Sequence, residues 1–380
     1  MTNIKLLNKI AACGTDIFDK TRYTVAEEVD APAAIMVRSA AMHDMEFDKS
    51  LLAIARAGAG VNNIPLDRCA EEGIVVFNTP GANANAVKEL AVAALLLSCR
   101  KITDAIDWAK TLSDNDDIAK AVEKGKGAFV GPEIYGKTLG VIGLGAIGGM
   151  VANAAIALGM KVIGYDPYIS VKAALSLNPA AKITADLSEI YANADFISLH
   201  IPATPSTKGL INTDAIAQMK DGVRIINLAR ADLVDADSIK SALDADKVSA
   251  YVTDFPNNTL SQYKNVIAIP HLGASTPESE DNCAVMAANE LVNFIENGNI
   301  VNSVNYPNVT APASTSPRIT VLYKNNDTAL ADITGAAAPV AIVSGVRGDY
   351  GYAIIDVADA SVQAKIDALG FVIKTRVING

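Results

Sequence analysis

Along most of this chain the pattern of apolar and polar positions is strand-like and helix-like in turn. This strand–helix–strand order is the one that builds a parallel sheet. In residues 1–100 the apolar runs 33–37 and 73–77 predict strands, and the segments 47–58 and 85–100 predict helices. Residues 101–130 have a helical pattern followed by a polar stretch, which is typical of a hinge or connector. The alternation then resumes and predicts six further strands of a doubly wound α/β domain, near 138–142, 161–165, 195–199, 223–228, 249–254 and 265–269.

The sequence pattern is different from residue 278 onward. Residues 278–297 predict one long amphipathic helix, and the Asn-, Pro-, Ser- and Thr-rich stretch that follows predicts an interdomain linker over 306–317. Residues 318–380 have the βαββαβ order of a ferredoxin-like domain. A domain of that size has a small core, so we expect it to pair with another copy and the protein to be a homo-oligomer, a dimer or a tetramer.

Composition narrows the class of protein. The chain has 380 residues, half of them apolar, and a formal net charge of −10, which argues against a nucleic-acid partner. Any anionic small-molecule substrate must then be held by local basic groups. The N-terminus lacks a signal-peptide core, and no apolar run is long enough for a membrane span. The absence of such a run leads us to expect no membrane association. The four cysteines form no CxxC pair, so we expect a cytoplasmic protein with no metal site.

The most informative segment is 138–167, where an apolar strand leads into GLGAIG, a helix and a second strand that ends in Asp166. In this dinucleotide-binding pattern the first glycine makes a tight turn, the second admits a diphosphate, and the third lets the helix pack on the strand. The acid binds a ribose 2′-hydroxyl and repels a 2′-phosphate, which favours NAD over NADP. The pattern predicts cofactor contacts at Gly143, Gly145, Ala146, Ile147, Gly148 and Asp166.

Three further polar residues follow predicted strands, where doubly wound sheets bind ligands. They are His200, Arg230 and His271. A histidine that takes a hydroxyl proton and an arginine that holds a carboxylate are what oxidation of a 2-hydroxy acid by a nicotinamide requires. His200 is interpreted as a structural or cofactor-neighbouring residue rather than the base. Taken alone, Arg230 could equally be a surface charge and His271 a turn residue.

Together with these residues, the segments GLGAIG, LHIPATPSTKGLI, INLARADLVD and PHLGAST resemble the D-isomer-specific 2-hydroxyacid dehydrogenase family. The pieces VRSAAM, RAGAGVNNI and FNTPGANANAVKEL resemble its phosphoglycerate dehydrogenase branch, and the tail resembles an ACT domain. The resemblance implies a flavodoxin-like substrate domain formed by 1–100 and 278–305, around a Rossmann cofactor domain over 101–277. It makes His271 the acid/base and Arg230 the substrate arginine. It also implies contacts to NAD from His200, Pro202, Thr204, Ala229, Asp254 and Gly273, and contacts to the substrate from Arg38, Ser39, Gly60 and Val61.

The resemblance implies oxidation of D-3-phosphoglycerate to 3-phosphohydroxypyruvate in serine synthesis, with a hydroxypyruvate or glyoxylate reductase and an NAD-sensing scaffold as alternatives. The family's glutamate partner of the histidine is replaced, because TDFPNN places Asn257 or Asn258 there. Asp254 matches an aspartate that contacts the nicotinamide carboxamide, or else it supports His271. Arg38 either binds the phosphate end of the substrate or is an ordinary strand-end charge. The tail offers Tyr323, Asn325, Thr328 and Pro339 near the usual effector positions, so we expect weak serine binding or none.

Overall fold

A computed structural model describes residues 1–378 and divides the chain into two compact units. The first unit joins residues 1–83 to the chain from Pro277 onward, and the second is the continuous segment 84–276. No helix among the described residues has both the length and the apolar character that crossing a bilayer demands.

The first unit is built on a five-stranded parallel sheet in the order β2-β1-β3-β4-β5, which is the flavodoxin-like order. Its strands are β1 (Thr2–Leu7), β2 (Tyr23–Ala26), β3 (Ala34–Val37), β4 (Ala53–Arg56) and β5 (Val75–Asn78), and its helices are α1 (Ala12–Thr15), α2 (Leu66–Glu71) and α11 (Pro277–Asn297). The helix predicted over 47–58 is wrong, because strand β4 occupies its second half. Residues 53–55 are buried, and a short apolar run buried on both faces shows no periodicity that distinguishes strand from helix.

The C-terminal part of the first unit is the predicted βαββαβ arrangement, with an antiparallel sheet in the ferredoxin-like order β14-β15-β13-β16. Its elements are β13 (Arg318–Lys324), α12 (Ala329–Ala337), β14 (Ala341–Arg347), β15 (Tyr350–Asp356), α13 (Gln363–Asp367) and β16 (Val372–Ile378). One face of this sheet packs on its own two helices through Ile319, Val321 and Ile355.

The other face of the tail sheet joins the core of the first unit. Tyr352 and Ile354 lie in one hydrophobic cluster with Phe294 of α11 and with Tyr306. The Tyr352 hydroxyl donates to the Gly298 carbonyl at 2.5 Å. The predicted layout has a linker over 306–317 and a separate domain over 318–380. Tyr306, within the linker range, is fully buried, and its hydroxyl donates to the Ala70 carbonyl at 2.6 Å.

The second unit contains a seven-stranded parallel sheet in the order β12-β11-β10-β9-β6-β7-β8, which confirms the predicted Rossmann fold and adds the short strand β8. Its strands are β6 (Thr138–Ile142), β7 (Lys161–Tyr165), β8 (Lys182–Thr184), β9 (Phe196–Leu199), β10 (Val223–Asn227), β11 (Val248–Thr253) and β12 (Val266–Ala268). Its helices are α3 (Ala84–Arg100), α4 (Ile102–Lys110), α5 (Ile118–Gly125), α6 (Ala146–Ala157), α7 (Val171–Ser176), α8 (Leu187–Asn193), α9 (Thr213–Ala217) and α10 (Ala236–Asp244). Helix α3, which the sequence analysis groups with residues 1–83, packs here against α6.

Candidate active site

The glycine turn between β6 and α6 has a different steric reason at each glycine. Gly143 has φ of +95°, and a Cβ there would lie 2.4 Å from the His200 carbonyl oxygen. A Cβ at Gly148 would lie 1.8 Å from the Gly143 carbonyl oxygen, so only glycine permits this approach. A Cβ at Gly145 would meet no protein atom within 4 Å. Backbone atoms therefore crowd the turn at Gly143 and Gly148, whereas the space beside Gly145 is open.

The open side of the turn is the N-terminus of α6. The first amides of the helix, at Ala146 and Ile147, have no acceptor within the helix and carry the positive end of its dipole. Such a site binds a phosphate group. Asp166, directly after β7, accepts hydrogen bonds from the Leu144 amide and from the Tyr168 amide, both at 2.9 Å. The predicted glycines and the predicted acid therefore meet at the ends of neighbouring strands.

His200 follows β9, the strand beside β6 on the other side from β7. Its Nε2 lies 2.8 Å from the Ser198 hydroxyl. Although part of its surface is accessible, the ring is enclosed well enough that burial lowers its pKa to about 4. A neutral ring of this low basicity is a poor general base at neutral pH. In the loop beyond it, the Thr207 hydroxyl donates to the Pro202 carbonyl at 2.7 Å and accepts from the Thr204 amide at 2.8 Å.

Arg230 lies on a short loop after β10 that a buried asparagine supports. The Asn227 side-chain amide donates to the Arg230 carbonyl at 2.9 Å, and its oxygen accepts from the Ala229 amide at 3.2 Å. The Arg230 side chain is exposed and, within the described part of the chain, makes one hydrogen bond, from Nη1 to the Ala229 carbonyl at 2.6 Å. Most of its guanidinium donors are therefore available to a ligand. Asn227 was missed in the sequence, although a polar residue at the end of the apolar run RIIN could have signalled it.

Asp254 follows β11 and lies between the strands that lead to Arg230 and His271. It is 1% exposed, and neither carboxylate oxygen makes a hydrogen bond of standard geometry to any residue that the structure describes. Burial raises the pKa of Asp254, and the charges of His271 and Arg230 act in the opposite direction. Asp254 is thus a buried acid under the electrostatic influence of both predicted catalytic side chains. A Cβ at the neighbouring Gly273 would lie 3.4 Å from its Oδ2.

His271 is exposed beyond β12, and its ring packs against Phe255 with centroids 5.0 Å apart. The asparagines that stand where the family has glutamate do not pair with it in the structure. The Asn257 oxygen accepts from the Thr259 amide at 3.1 Å and the Leu260 amide at 2.8 Å, and Asn258 is exposed. The nearby charge that acts with His271 is therefore that of Asp254.

Within the first unit, basic groups and free backbone lie at the ends of β3 and β4. Arg38 forms an ion pair with Glu280 at 2.5 Å, and the Ser39 amide donates to the Asn8 side-chain oxygen at 3.0 Å. Gly60 is unobstructed: the nearest atom to a Cβ there is the Asn62 oxygen at 3.8 Å. Gly60 and Val61 lie in the loop after β4.

Arg56, the last residue of β4, is a second basic residue at this sheet edge. Its Nε donates to the Arg38 carbonyl at 3.0 Å. Burial lowers the pKa of Arg56, and the charge of Arg38 lowers it further. Glu280 already pairs with Arg38, so the charge at this sheet edge that an anionic ligand could balance is that of Arg56. The sequence analysis missed Arg56 because the incorrect helix over 47–58 hid its position at a strand end.

Comparisons with known proteins agree with this geometry. Residues 92–273 match the NAD-binding domain of D-isomer-specific 2-hydroxyacid dehydrogenases. The chain is 35% identical over 329 residues to a D-3-phosphoglycerate dehydrogenase of Synechocystis, covering 82% of this chain and 57% of the relative. It is 37% identical to the enzyme of that name from Methanocaldococcus jannaschii, covering 76% of this chain and 55% of the relative. The chain thus spans little more than half the length of these relatives.

Solved structures give the same family. The crystal structure of a glyoxylate reductase from Paecilomyes thermophila matches with a TM-score of 0.65 and 26% identity, over 80% of this chain and 98% of that one. An NAD-bound 3-phosphoglycerate dehydrogenase of Entamoeba histolytica matches with a TM-score of 0.60 and 25% identity, over 80% and 98%. The second unit of this chain is an NAD-binding domain, and the chain belongs to the D-isomer-specific 2-hydroxyacid dehydrogenase family.

Proposed function

We propose that this chain oxidises D-3-phosphoglycerate to 3-phosphohydroxypyruvate with NAD. The observation that carries the proposal is the placement of Arg230, Asp254 and His271 after three neighbouring strands, with the buried acid under the electrostatic influence of the other two side chains. A base, a carboxylate-binding arginine and a fixed negative charge are what removal of a hydroxyl proton from a 2-hydroxy acid requires.

The cofactor fits the turn between β6 and α6. The open space at Gly145 and the free amides of α6 suit a diphosphate, and the Asp166 carboxylate suits the hydroxyls of a ribose. Bound NAD supplies a hydride acceptor at its nicotinamide ring. Further cofactor contacts come from residues at the same edge of the sheet: His200, Pro202, Thr204, Ala229 and Gly273.

In the proposed mechanism His271 takes the proton of the substrate hydroxyl, and Arg230 binds the carboxylate and the carbonyl oxygen that forms. Protonated His271 carries a positive charge that a neutral asparagine cannot balance. We assign that balance to ionised Asp254, because the Asn257 oxygen is already bonded to two backbone amides. The same carboxylate remains a candidate to contact the nicotinamide carboxamide.

The phosphate end of the substrate is assigned to Arg38 and Arg56, with the substrate carboxylate held by the backbone at Gly60–Val61 and Ser39 beside the arginines. The chain has a net charge of −10, so an anion needs such local positive groups. Loss of a charge-assisted arginine–phosphate interaction costs about 1.5–3 kcal/mol, which is roughly ten- to a hundredfold in affinity.

The test measures NADH oxidation with 3-phosphohydroxypyruvate, hydroxypyruvate, glyoxylate, 2-oxoglutarate and pyruvate. We expect the highest kcat/KM for the phosphorylated substrate, and we expect Arg56→Ala to lower it roughly ten- to a hundredfold for that substrate alone. Arg22→Ala, at an exposed arginine that pairs with Glu296, is the matched charge control. If glyoxylate or hydroxypyruvate is used best, the chain is a reductase like the Paecilomyes relative. If no substrate is turned over while NADH binds, an NAD-sensing scaffold is the better assignment.

We also propose that the tail pairs with a second copy of the chain. The edge strand β14 and the residue before it expose three valines: Val340 is 68%, Val343 40% and Val346 51% exposed. Exposed apolar edge strands favour pairing with another strand. Sedimentation should show a smaller oligomer for Val343→Lys than for the parent, and an unchanged oligomer would contradict this proposal.

A further inference from the structure

A groove of about 570 Å³ lies within the first unit along one face of α11, away from the basic residues at the sheet edge. Its lining combines carboxamides with small and apolar side chains and includes a single ionisable residue, Glu290. The lining residues are Gly81, Ala82, Asn282, Val285, Met286, Asn289, Glu290, Asn293, Asn299, Val301 and Asn302.

Glu290 is the buried member of this lining, with 7% of its surface exposed. Its Oε1 accepts a hydrogen bond from the Asn302 side chain at 2.7 Å, and its Oε2 has no hydrogen-bond partner among residues 1–378. Burying a carboxylate without a balancing charge is costly, so burial raises its pKa to about 8. Without a ligand, the group is mostly protonated at neutral pH.

No nearby charge within the part of the chain that the structure describes relieves this cost. Lys, Arg, His and Asp are absent from the groove lining, and only the Asn302 hydrogen bond opposes the effect of burial on Glu290. The other acids of α11 are engaged elsewhere or exposed: Glu280 pairs with Arg38, Glu296 pairs with Arg22, and Glu278 and Asp281 are exposed. A cation that enters the groove would therefore be the direct partner of Glu290.

The rest of the lining specifies what kind of cation fits. Asn282 and Asn289 are exposed along the groove and offer carboxamide oxygens to a group with several N–H donors. Val285, Met286 and Val301 provide apolar surface for a short alkyl chain. With one acid and no second charged group in the lining, the site matches a single positive charge. A divalent metal ion would require more carboxylate ligands than the groove has.

We propose that this groove binds a small aliphatic primary amine, with the ammonium group paired to the Glu290 carboxylate and the alkyl chain along Val285 and Met286. The ammonium ion donates its hydrogen bonds to Glu290 and to the neighbouring asparagine oxygens. Because Glu290 must ionise to form the pair, each amine that binds releases one proton from the protein below about pH 8.

The test is calorimetric titration of the full-length protein with butylamine at pH 6.5, 7.5 and 8.5, in two buffers of different ionisation enthalpy. We expect one site, an affinity that rises up to tenfold per pH unit below about pH 8 and then levels off, and release of close to one proton at the lowest pH. 1-Butanol tests the alkyl chain alone, and potassium chloride tests a simple inorganic cation. Equal binding of butylamine and 1-butanol, or no butylamine binding at all, would overturn the proposal.

Two variants separate the site from general charge effects. Glu290→Gln keeps the acceptor for Asn302 but cannot ionise, so it should lose most butylamine binding together with the proton release. Glu278→Gln removes the same charge from an exposed position of the same helix and should bind butylamine like the parent. If both variants lost butylamine binding equally, the binding would depend only on the net charge of the protein, and the site would be refuted. The proton release that butylamine causes in the unmodified protein tests the ionisation of Glu290 without any variant.

Discussion

Three glycines around the start of α6 predict three different outcomes for the same substitution, glycine to alanine. A Cβ at Gly148 would lie 1.8 Å from the Gly143 carbonyl oxygen, whereas a Cβ at Gly149 would meet Leu177 at an ordinary 3.5 Å. A Cβ at Gly145 would meet no protein atom within 4 Å and would point into the space that we assign to the diphosphate. Gly148→Ala should therefore damage the fold, Gly145→Ala should damage binding, and Gly149→Ala should damage neither.

The magnitudes follow from two opposing effects. Alanine is favoured over glycine in a helix interior by about 1 kcal/mol, so Gly149→Ala should be neutral or slightly stabilising. At position 148 the backbone must move by about 1 Å or more to relieve the contact. Overpacking of this kind costs ~1–3 kcal/mol, and more when the obstacle is backbone rather than a side chain. Gly145 precedes the helix, where alanine in place of glycine costs about 1 kcal/mol or less, so its stability should change little.

Urea unfolding measures the stability of each variant, and titration with NADH fluorescence measures its affinity for the cofactor. Gly148→Ala should unfold at lower urea than Gly149→Ala by an amount that corresponds to at least ~1–3 kcal/mol. Gly145→Ala should bind NADH at least about tenfold more weakly than the parent while unfolding at nearly the same urea concentration. Full NADH affinity in Gly145→Ala would show that the diphosphate does not lie over this glycine. Equal stability of the 148 and 149 variants would show that the turn can accommodate a Cβ at Gly148, against the close approach seen in the structure.

Other predictions test the remaining functional features. Asp166→Ala should weaken NAD binding and narrow the preference for NAD over NADP, measured by titration with both cofactors, and an unchanged preference would remove Asp166 from the ribose site. His271→Ala should lower turnover by about 10²–10⁴-fold with NADH affinity nearly intact, and a variant that keeps half its rate would point to another proton acceptor. A chain ended at Pro317 should lose much of the stability of the first unit, because Tyr352 and its neighbours leave the shared core; an unchanged urea midpoint would contradict that packing. L-Serine at millimolar concentration should not inhibit, because Tyr323 is 1% exposed inside the tail; calorimetry that shows micromolar serine binding would refute this.

The parts of the fold that the sequence predicts are those where local pattern and tertiary role coincide. The glycine turn and Asp166 are recognisable because their spacing is set by a single βαβ unit. The tail elements are recognisable because turn residues separate short runs rich in β-branched and aromatic residues. Strand β4 was missed because its apolar run is buried on both faces and shows no alternation of apolar and polar residues.

The features that the sequence could not supply depend on contacts between distant segments. Asp254 is coupled to Arg230 and His271 only because three strands are neighbours in the sheet. In the sequence Glu290 is one more acid on an amphipathic helix. Only the fold shows that it is buried without a charged partner among the described residues. Tyr306 stands in a Pro- and Asn-rich stretch typical of a linker, yet it fills the core of the first unit, because its partners come from segments far away in the chain.

The discontinuity of the first unit has a consequence for biosynthesis. Chains emerge from the ribosome N-terminus first, and domains generally fold as units. The second unit is one continuous segment, 84–276, so it can fold as soon as that segment has emerged. Strands β1, β3, β4 and β5 are made before the second unit, whereas Leu291, Phe294 and Tyr352, which complete their core, are made after it. The apolar strands of the first unit must therefore stay exposed while the whole second unit is translated, and the nascent protein should depend on chaperones over that interval.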